Sequence, residues 1–146
     1  MDMWTVRPAE KEDHREIEAF INQSEAVYHK DCMFILVENE QDDIQGLAGI
    51  QIFGDSCLLR SFVCTPMFPA RKLPVFLERL MLLAAEKGCD TLYLVTDRVA
   101  SVPFFEAFGF SLGEENSSQE PVELSTALSE LKRKKGALVM WKRVGL

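Results

Sequence analysis

Residues 65 to 74 read TPMFPARKLP, between the apolar run CLLRSFVC and the apolar helical pattern VFLERLMLLAAEKG. A strand that hands over directly to a helix aims free N–H groups and the positive end of the helix dipole at the turn between them, where anions settle. Turns that hold phosphate are commonly rich in glycine. This one contains none, and Pro69 and Pro74 each lack an N–H. Four main-chain amides remain, at Ala70, Arg71, Lys72 and Leu73, and Arg71 and Lys72 add two cations at a helix start whose dipole disfavours them. The pattern fits a variant diphosphate site or a solvated basic turn.

Other residues with chemistry are sparse. Cys32, Cys57, Cys64 and Cys89 lack paired metal-ligand spacing, and with only His14 and His29 beside them neither a zinc site nor a disulfide framework is expected. Cys64 reads as a buried strand residue, since nothing near it in sequence lowers its pKa. Glu38, His29 and Tyr28 are candidate proton acceptors, each with an ordinary surface role as the alternative. The net charge is −7, and Lys and Arg cluster only at 132 to 135, which argues against a nucleic-acid partner and mildly favours amine-bearing small molecules. No apolar run is long enough to cross a bilayer, and the opening MDMWTVRPAEKEDHRE is unlike a signal peptide, so the expected location is cytoplasmic, without a membrane partner.

The chain's 146 residues, 47% hydrophobic, suit one domain. WTVR, 4 to 7, reads as a strand ended by Pro8. A helix follows from about Asp13 to Asn22, with Ile17, Phe20 and Ile21 inward and His14, Arg15, Glu16 and Glu18 facing water. MFILVE, 33 to 38, and IQGLAGIQIF, 44 to 53, read as paired strands, the second with Ile44, Ala48, Ile50 and Ile52 on one face and Gln45 and Gln51 on the other. CLLRSFVC, 57 to 64, is apolar except for Arg60 and Ser61 and reads as a strand covered on both faces. Pro74 opens the next helix and Gly88 closes it. TLYLVT, 91 to 96, completes a right-handed parallel crossover. A short helix from Val102 to Phe108 has Ser101 as its N-cap and Gly109 at its end. FSLGEE, 110 to 115, returns as a strand. ENSSQ is a linker, and a helix over 121 to 135 starts with Glu120 and Glu123 and ends with Lys132 to Lys135, as its dipole prefers. ALVMWKRV closes the chain as a strand. The fold class is α/β with a mixed sheet: an antiparallel meander, one parallel crossover and a C-terminal strand pair.

In this order the sequence resembles the GNAT superfamily of N-acetyltransferases over nearly its whole length. WTVRPAEKEDHREIEAF is similar to the family's opening strand and helix, IQGLAGIQI to its third strand, FVCTP to the end of its fourth, FFEAFGF (104 to 110) to its FYexxGF signature and VMWKR to its closing strand. The resemblance implies a single GNAT-like domain, residues 1 to 146, that moves an acyl group, usually acetyl, from coenzyme A to a small-molecule amine by direct attack. It places the cofactor where the fourth and fifth strands splay apart, with pantetheine along Phe62, Val63 and Cys64 and the diphosphate at Ala70, Arg71, Lys72 and Leu73.

Against the family pattern P-x-x-R-G-x-G-x-G, the arginine is Pro69 and the glycines are Ala70, Lys72 and Pro74. Phe105 replaces the tyrosine that often protonates the departing thiolate, a loss of ~10²-fold or more if solvent must supply the proton. Arg98 stands where asparagine is frequent and could pair with the cofactor's phosphates. The helix over 121 to 135 roofs the acceptor site, forms a homodimer face or simply packs. The alternative activity is a catalytically impaired module that binds a partner or senses a coenzyme A-type metabolite.

Overall fold

The computed structural model describes residues 4–113 and 121–145. The chain packs as two compact units, Met1–Gln51 with Arg60–Leu83, and Ile52–Leu59 with Ala84–Leu146.

The first unit begins with β1 (Thr5–Pro8), which pairs antiparallel with β2 (Met33–Glu38), Val6 opposite Val37. Pro8 belongs to the strand instead of ending it, opposite Ile35. Its missing N–H is tolerated because β1 is an edge strand. A 3-10 turn, Lys11–Asp13, then leads into α1 (His14–Asn22). Ile17 and Ile21, one helical turn apart, are completely buried with Phe34 and Leu36 of β2, Cys32 and Leu47. His14 does not face water as expected. It is half-buried, with Nδ1 hydrogen-bonded to the Tyr28 hydroxyl at 2.8 Å.

β2 pairs antiparallel with β3 (Ile44–Phe53), Phe34 opposite Gly49. The simple alternation expected for β3 is absent from its middle, where Gly46 to Ile50 are buried on both faces, while Ile52 is 38% exposed. Gln45 and Gln51 are half-buried and accept hydrogen bonds from Thr65 and Arg60.

β4 (Ser56–Cys64) and α2 (Leu73–Glu86) contribute residues to both units. β4 is not covered on both faces throughout. Only Cys57, Leu58 and Ser61 are buried, and the remainder is half-exposed.

In the second unit β5 (Thr91–Thr96) runs parallel to the start of β4, with pairs Ser56↔Thr91, Cys57↔Leu92 and Leu58↔Tyr93. The connection reverses at Gly88, whose φ of +85° suits glycine, and Cys89 N–H donates back to Ala84. α3 (Val102–Ala107) follows a 3-10 turn, Val99–Ser101, and Ser101 makes no side-chain capping bond. β6 (Ser111–Leu112) is the described part of the strand expected over 110 to 115; Glu114, Glu115, the ENSSQ linker and Glu120 lie outside the described residues.

α4 (Val122–Leu131) ends before Lys132 to Lys135, which form the following turn; Lys134 Nζ meets Asp97 Oδ2 there at 2.6 Å. β7 (Leu138–Arg143) pairs antiparallel with both β5 and β6. Leu58, Tyr93, Leu124, Ala127, Leu128 and Val139 form this unit's core. The strand order is β1-β2-β3-β4-β5-β7-β6, with β4 and β5 parallel, the mixed sheet expected.

Candidate functional site

The sequence from β4 into α2 builds the candidate site of the first unit. Past its last parallel pair at Leu58, β4 continues for six residues, Leu59 to Cys64. Thr65 then ties the strand's end to β3: its N–H donates to the Gln45 carbonyl at 2.8 Å and its hydroxyl to Gln45 Oε1 at 2.9 Å. Phe68 N–H donates to the Thr65 carbonyl at 3.0 Å and closes a turn.

The aromatic groups here face the unit's interior. Phe62 stacks on Phe76 at 5.1 Å, and Phe68 meets Trp4 edge-on at 5.7 Å and Phe76 at 5.8 Å. Phe68 fits because residue 46 is glycine; a Cβ there would lie 2.9 Å from its ring. Lys72 Nζ lies 5.8 Å from the Trp4 ring centroid, a cation–π arrangement at a cavity of about 110 Å³ shared with Val6, Val37 and Val75.

The expected cradle of amides is reduced. Ala70–Lys72 form a 3-10 turn in which Lys72 N–H donates to the Pro69 carbonyl at 2.9 Å and Leu73 N–H to that of Ala70. Two of the four amides are therefore engaged within the turn, and the Lys72 ammonium is turned toward Trp4. Arg71 is exposed at the same start of α2.

Two polar residues interrupt β4. Arg60 is half-buried and its Nε donates to Gln51 Oε1 at 3.0 Å. Ser61 is 2% exposed, and its hydroxyl has no hydrogen-bond partner among the described residues. An orphaned buried hydroxyl is uncommon. Both residues were visible as the polar breaks in CLLRSFVC, but Gln51 could be matched to Arg60 only through the β3–β4 fold. Cys64 has its thiol pushed up to about 11 by burial, which disfavours a nucleophilic role.

The three proton-acceptor candidates separate. Glu38 is buried and accepts from Arg7 Nε at 2.6 Å and Nη2 at 3.3 Å, so it is committed to an ion pair. Tyr28 stacks on Phe34 at 6.0 Å and 9° and bonds His14; burial raises its pKa above the ordinary 10.0 and keeps the phenol protonated. His29 is half-buried, and burial, reinforced by the charge of Arg60, lowers its pKa below 6.5. Of the three, His29 is the one whose proton-accepting form is favoured, and it feels the charge of Arg60 on β4.

Arg98 and Phe105 belong to the second unit. Arg98 precedes the 3-10 turn before α3 and is exposed, its N–H donating to Thr96 Oγ1 at 3.2 Å. Phe105 packs against Phe104 at 5.2 Å and Phe110 at 5.7 Å, so its ring is accounted for by aromatic packing.

No family model matches the chain. The uncharacterized protein YwlB of Bacillus subtilis (strain 168) is 29% identical over 147 residues, 97% of this chain and 99% of that protein. N-acetylglutamate synthase from Neisseria gonorrhoeae, solved with coenzyme A and N-acetyl-glutamate, superposes with a TM-score of 0.74 at 15% identity, over 99% of this chain and 36% of the synthase. This chain thus spans about a third of that protein. The ribosomal-protein-S18-alanine N-acetyltransferase from Escherichia coli gives a TM-score of 0.70 at 15% identity, over 99% of this chain and 96% of its own. The fold is that of the GNAT acetyltransferases.

Proposed function

We propose that this protein is an acyl-CoA-dependent N-acyltransferase that moves an acetyl group to the nitrogen of a small-molecule amine while both substrates are bound. The observation that carries the reading is the course of β4, which runs six residues past its parallel pairs and leads through the Thr65–Pro69 turn into α2. A pantetheine arm laid along the main chain of Phe62, Val63 and Cys64 makes strand-like hydrogen bonds, and its diphosphate then meets the start of α2 and its dipole. Ser61, one residue before that run, has a buried hydroxyl without a partner among the described residues, which an arm reaching it would satisfy.

In the reaction the amine nitrogen bonds to the acyl carbon as the C–S bond breaks. The nitrogen's proton passes to His29, and coenzyme A leaves as a thiolate that takes a proton from water. Holding both reactants in register supplies much of the acceleration. This reading places the protein in the cytoplasm, where the free thiols of Cys32, Cys57, Cys64 and Cys89 stay reduced.

Thermal unfolding with added acetyl-CoA tests it. Ligand at a hundredfold excess over Kd stabilises a one-site protein by about 2.7 kcal/mol. No response at millimolar acetyl-CoA, by unfolding or calorimetry, overturns the reading.

A second reading, a catalytically impaired module that binds a partner or senses a coenzyme A-type metabolite, is favoured by the engaged amides of Lys72 and Leu73 and by the hydroxyl-free ring of Phe105. Thiol release that depends on an added amine excludes it.

A further inference from the structure

The chain carries 23 acidic and 16 basic residues, so an interior arginine has ample carboxylates to choose from. Arg7 behaves accordingly and holds two of them, Asp13 and Glu38. Arg60 does not. Among the described residues it pairs with no carboxylate; its one hydrogen bond runs from Nε to the neutral amide oxygen of Gln51. That bond orients the guanidinium and leaves Nη1 and Nη2 of the fork without an acceptor among the described residues. A half-buried guanidinium in this state matches the bidentate geometry of an incoming carboxylate.

The surroundings support an anion at this place. Arg60 projects from β4 two positions before Phe62, about 6–7 Å along the strand from where the proposed pantetheine run begins. The charge of Arg60 is felt by His29 and by Cys32, both in the segment between α1 and the first residue of β2. Asp31 is the acidic residue that acts on those same two groups, and it forms no ion pair with Arg60. The site therefore has a carboxylate receptor and a neutral imidazole near the strand assigned to the acyl donor.

Building on the acyltransferase reading, we propose that Arg60 binds the carboxylate of the acceptor, and that the group acylated is the α-amino nitrogen of a free amino acid. In an α-amino acid the amine is separated from the carboxylate carbon by a single carbon. Anchoring that carboxylate on Arg60 thus fixes the nitrogen within a narrow radius, between His29, which takes its proton, and the acyl carbon.

The test compares L-alanine, L-leucine, L-phenylalanine and L-glutamate with their α-carboxamides, following thiol release from acetyl-CoA. At least one free amino acid is expected to exceed its amide by about tenfold or more in kcat/KM, the size of a charge-assisted hydrogen bond. Arg60→Gln is expected to abolish that preference by slowing the acid about tenfold more than the amide, and Arg60→Lys to retain part of it. Equal rates for acid and amide, or a preference that survives in Arg60→Gln, overturn the assignment. The comparison of acid with amide needs no variant, so it stands even if Arg60→Gln folds poorly. Turnover confined to amines without a carboxylate, such as a polyamine, overturns this inference and leaves acyl transfer standing; absence of acetyl-CoA binding overturns both.

Discussion

Glu38 and Arg7 are joined at 2.6 Å through Nε, and the same guanidinium donates to both oxygens of Asp13, at 2.8 and 2.9 Å. One cation thus fastens the end of β2 and the turn before α1 to β1. Arg7→Met strands two carboxylates and is expected to cost about 1–3 kcal/mol at neutral pH, measured by urea unfolding. Arg7 holds the Asp13 carboxyl at about 2, against an ordinary 3.8. The folded protein therefore binds this proton later than the unfolded chain does. Its contribution is complete above about 3.8 and disappears as pH falls toward 2. Stability curves of the wild type and Arg7→Met should converge over that interval; curves that stay parallel refute the role.

In the proposed reaction His29, as the proton acceptor, sets the acid limb of activity. Burial first, then Arg60, lowers its pKa below 6.5, and Asp31 opposes them. kcat/KM is expected to fall only at pH values below the ordinary histidine range, and Arg60→Gln to move that limb upward toward 6.5. The unfolded chain takes up this proton first, so the same group weakens the fold as pH drops from 6.5 through the folded pKa. An NMR titration of the imidazole checks the direction, and an acid limb unmoved by His29→Ala removes it from the reaction.

Ser61→Ala separates ligand binding from stability. The hydroxyl has no partner among the described residues, so its removal should leave unfolding unchanged or raise stability by up to about 1 kcal/mol. If the hydroxyl serves acetyl-CoA, calorimetry of the same variant will show Kd weakened by roughly fivefold. A Tm that drops by several degrees would mean that the side chain has a structural partner after all.

Gly49→Ala probes the packing of β3 under β2. A Cβ at 49 would lie 2.6 Å from Cε1 of Phe34, whose ring is 3% exposed and stacked on Tyr28, so the ring has little room to retreat. A loss of about 1–3 kcal/mol is expected from equilibrium unfolding. Wild-type stability in this variant would mean that the ring is free to move.

What could be read from the residues was whatever periodicity controls. Ile17 and Ile21, and the bounds of β2 and β3, follow from local spacing of apolar side chains. The exposure of β4 did not, because CLLRSFVC looks the same whether both faces are covered or its later residues are left half-open. The 3-10 turn that engages the amides of Lys72 and Leu73 depends on backbone angles after Pro69, to which side-chain types are nearly indifferent. The end of α4 was placed four residues late, since the lysines that suit a helix C-terminus also suit the turn in which Lys134 finds Asp97. Arg60 stood out as a break in an apolar run, but its neutral partner on β3 and the absence of a paired carboxylate are properties of the folded chain.

Trp4 lies under the ammonium of Lys72 and against the edge of Phe68, one residue ahead of β1, and the chain has only one other tryptophan, Trp141 in β7. Indole emission responds to a nearby charge, and with Trp141→Phe the signal would come from Trp4 alone. Drawing Lys72 away from that ring, as a diphosphate at the start of α2 would do, changes the field the indole feels. The edge of the sheet thereby carries an intrinsic optical gauge for occupancy of the α2 start, readable without any attached dye.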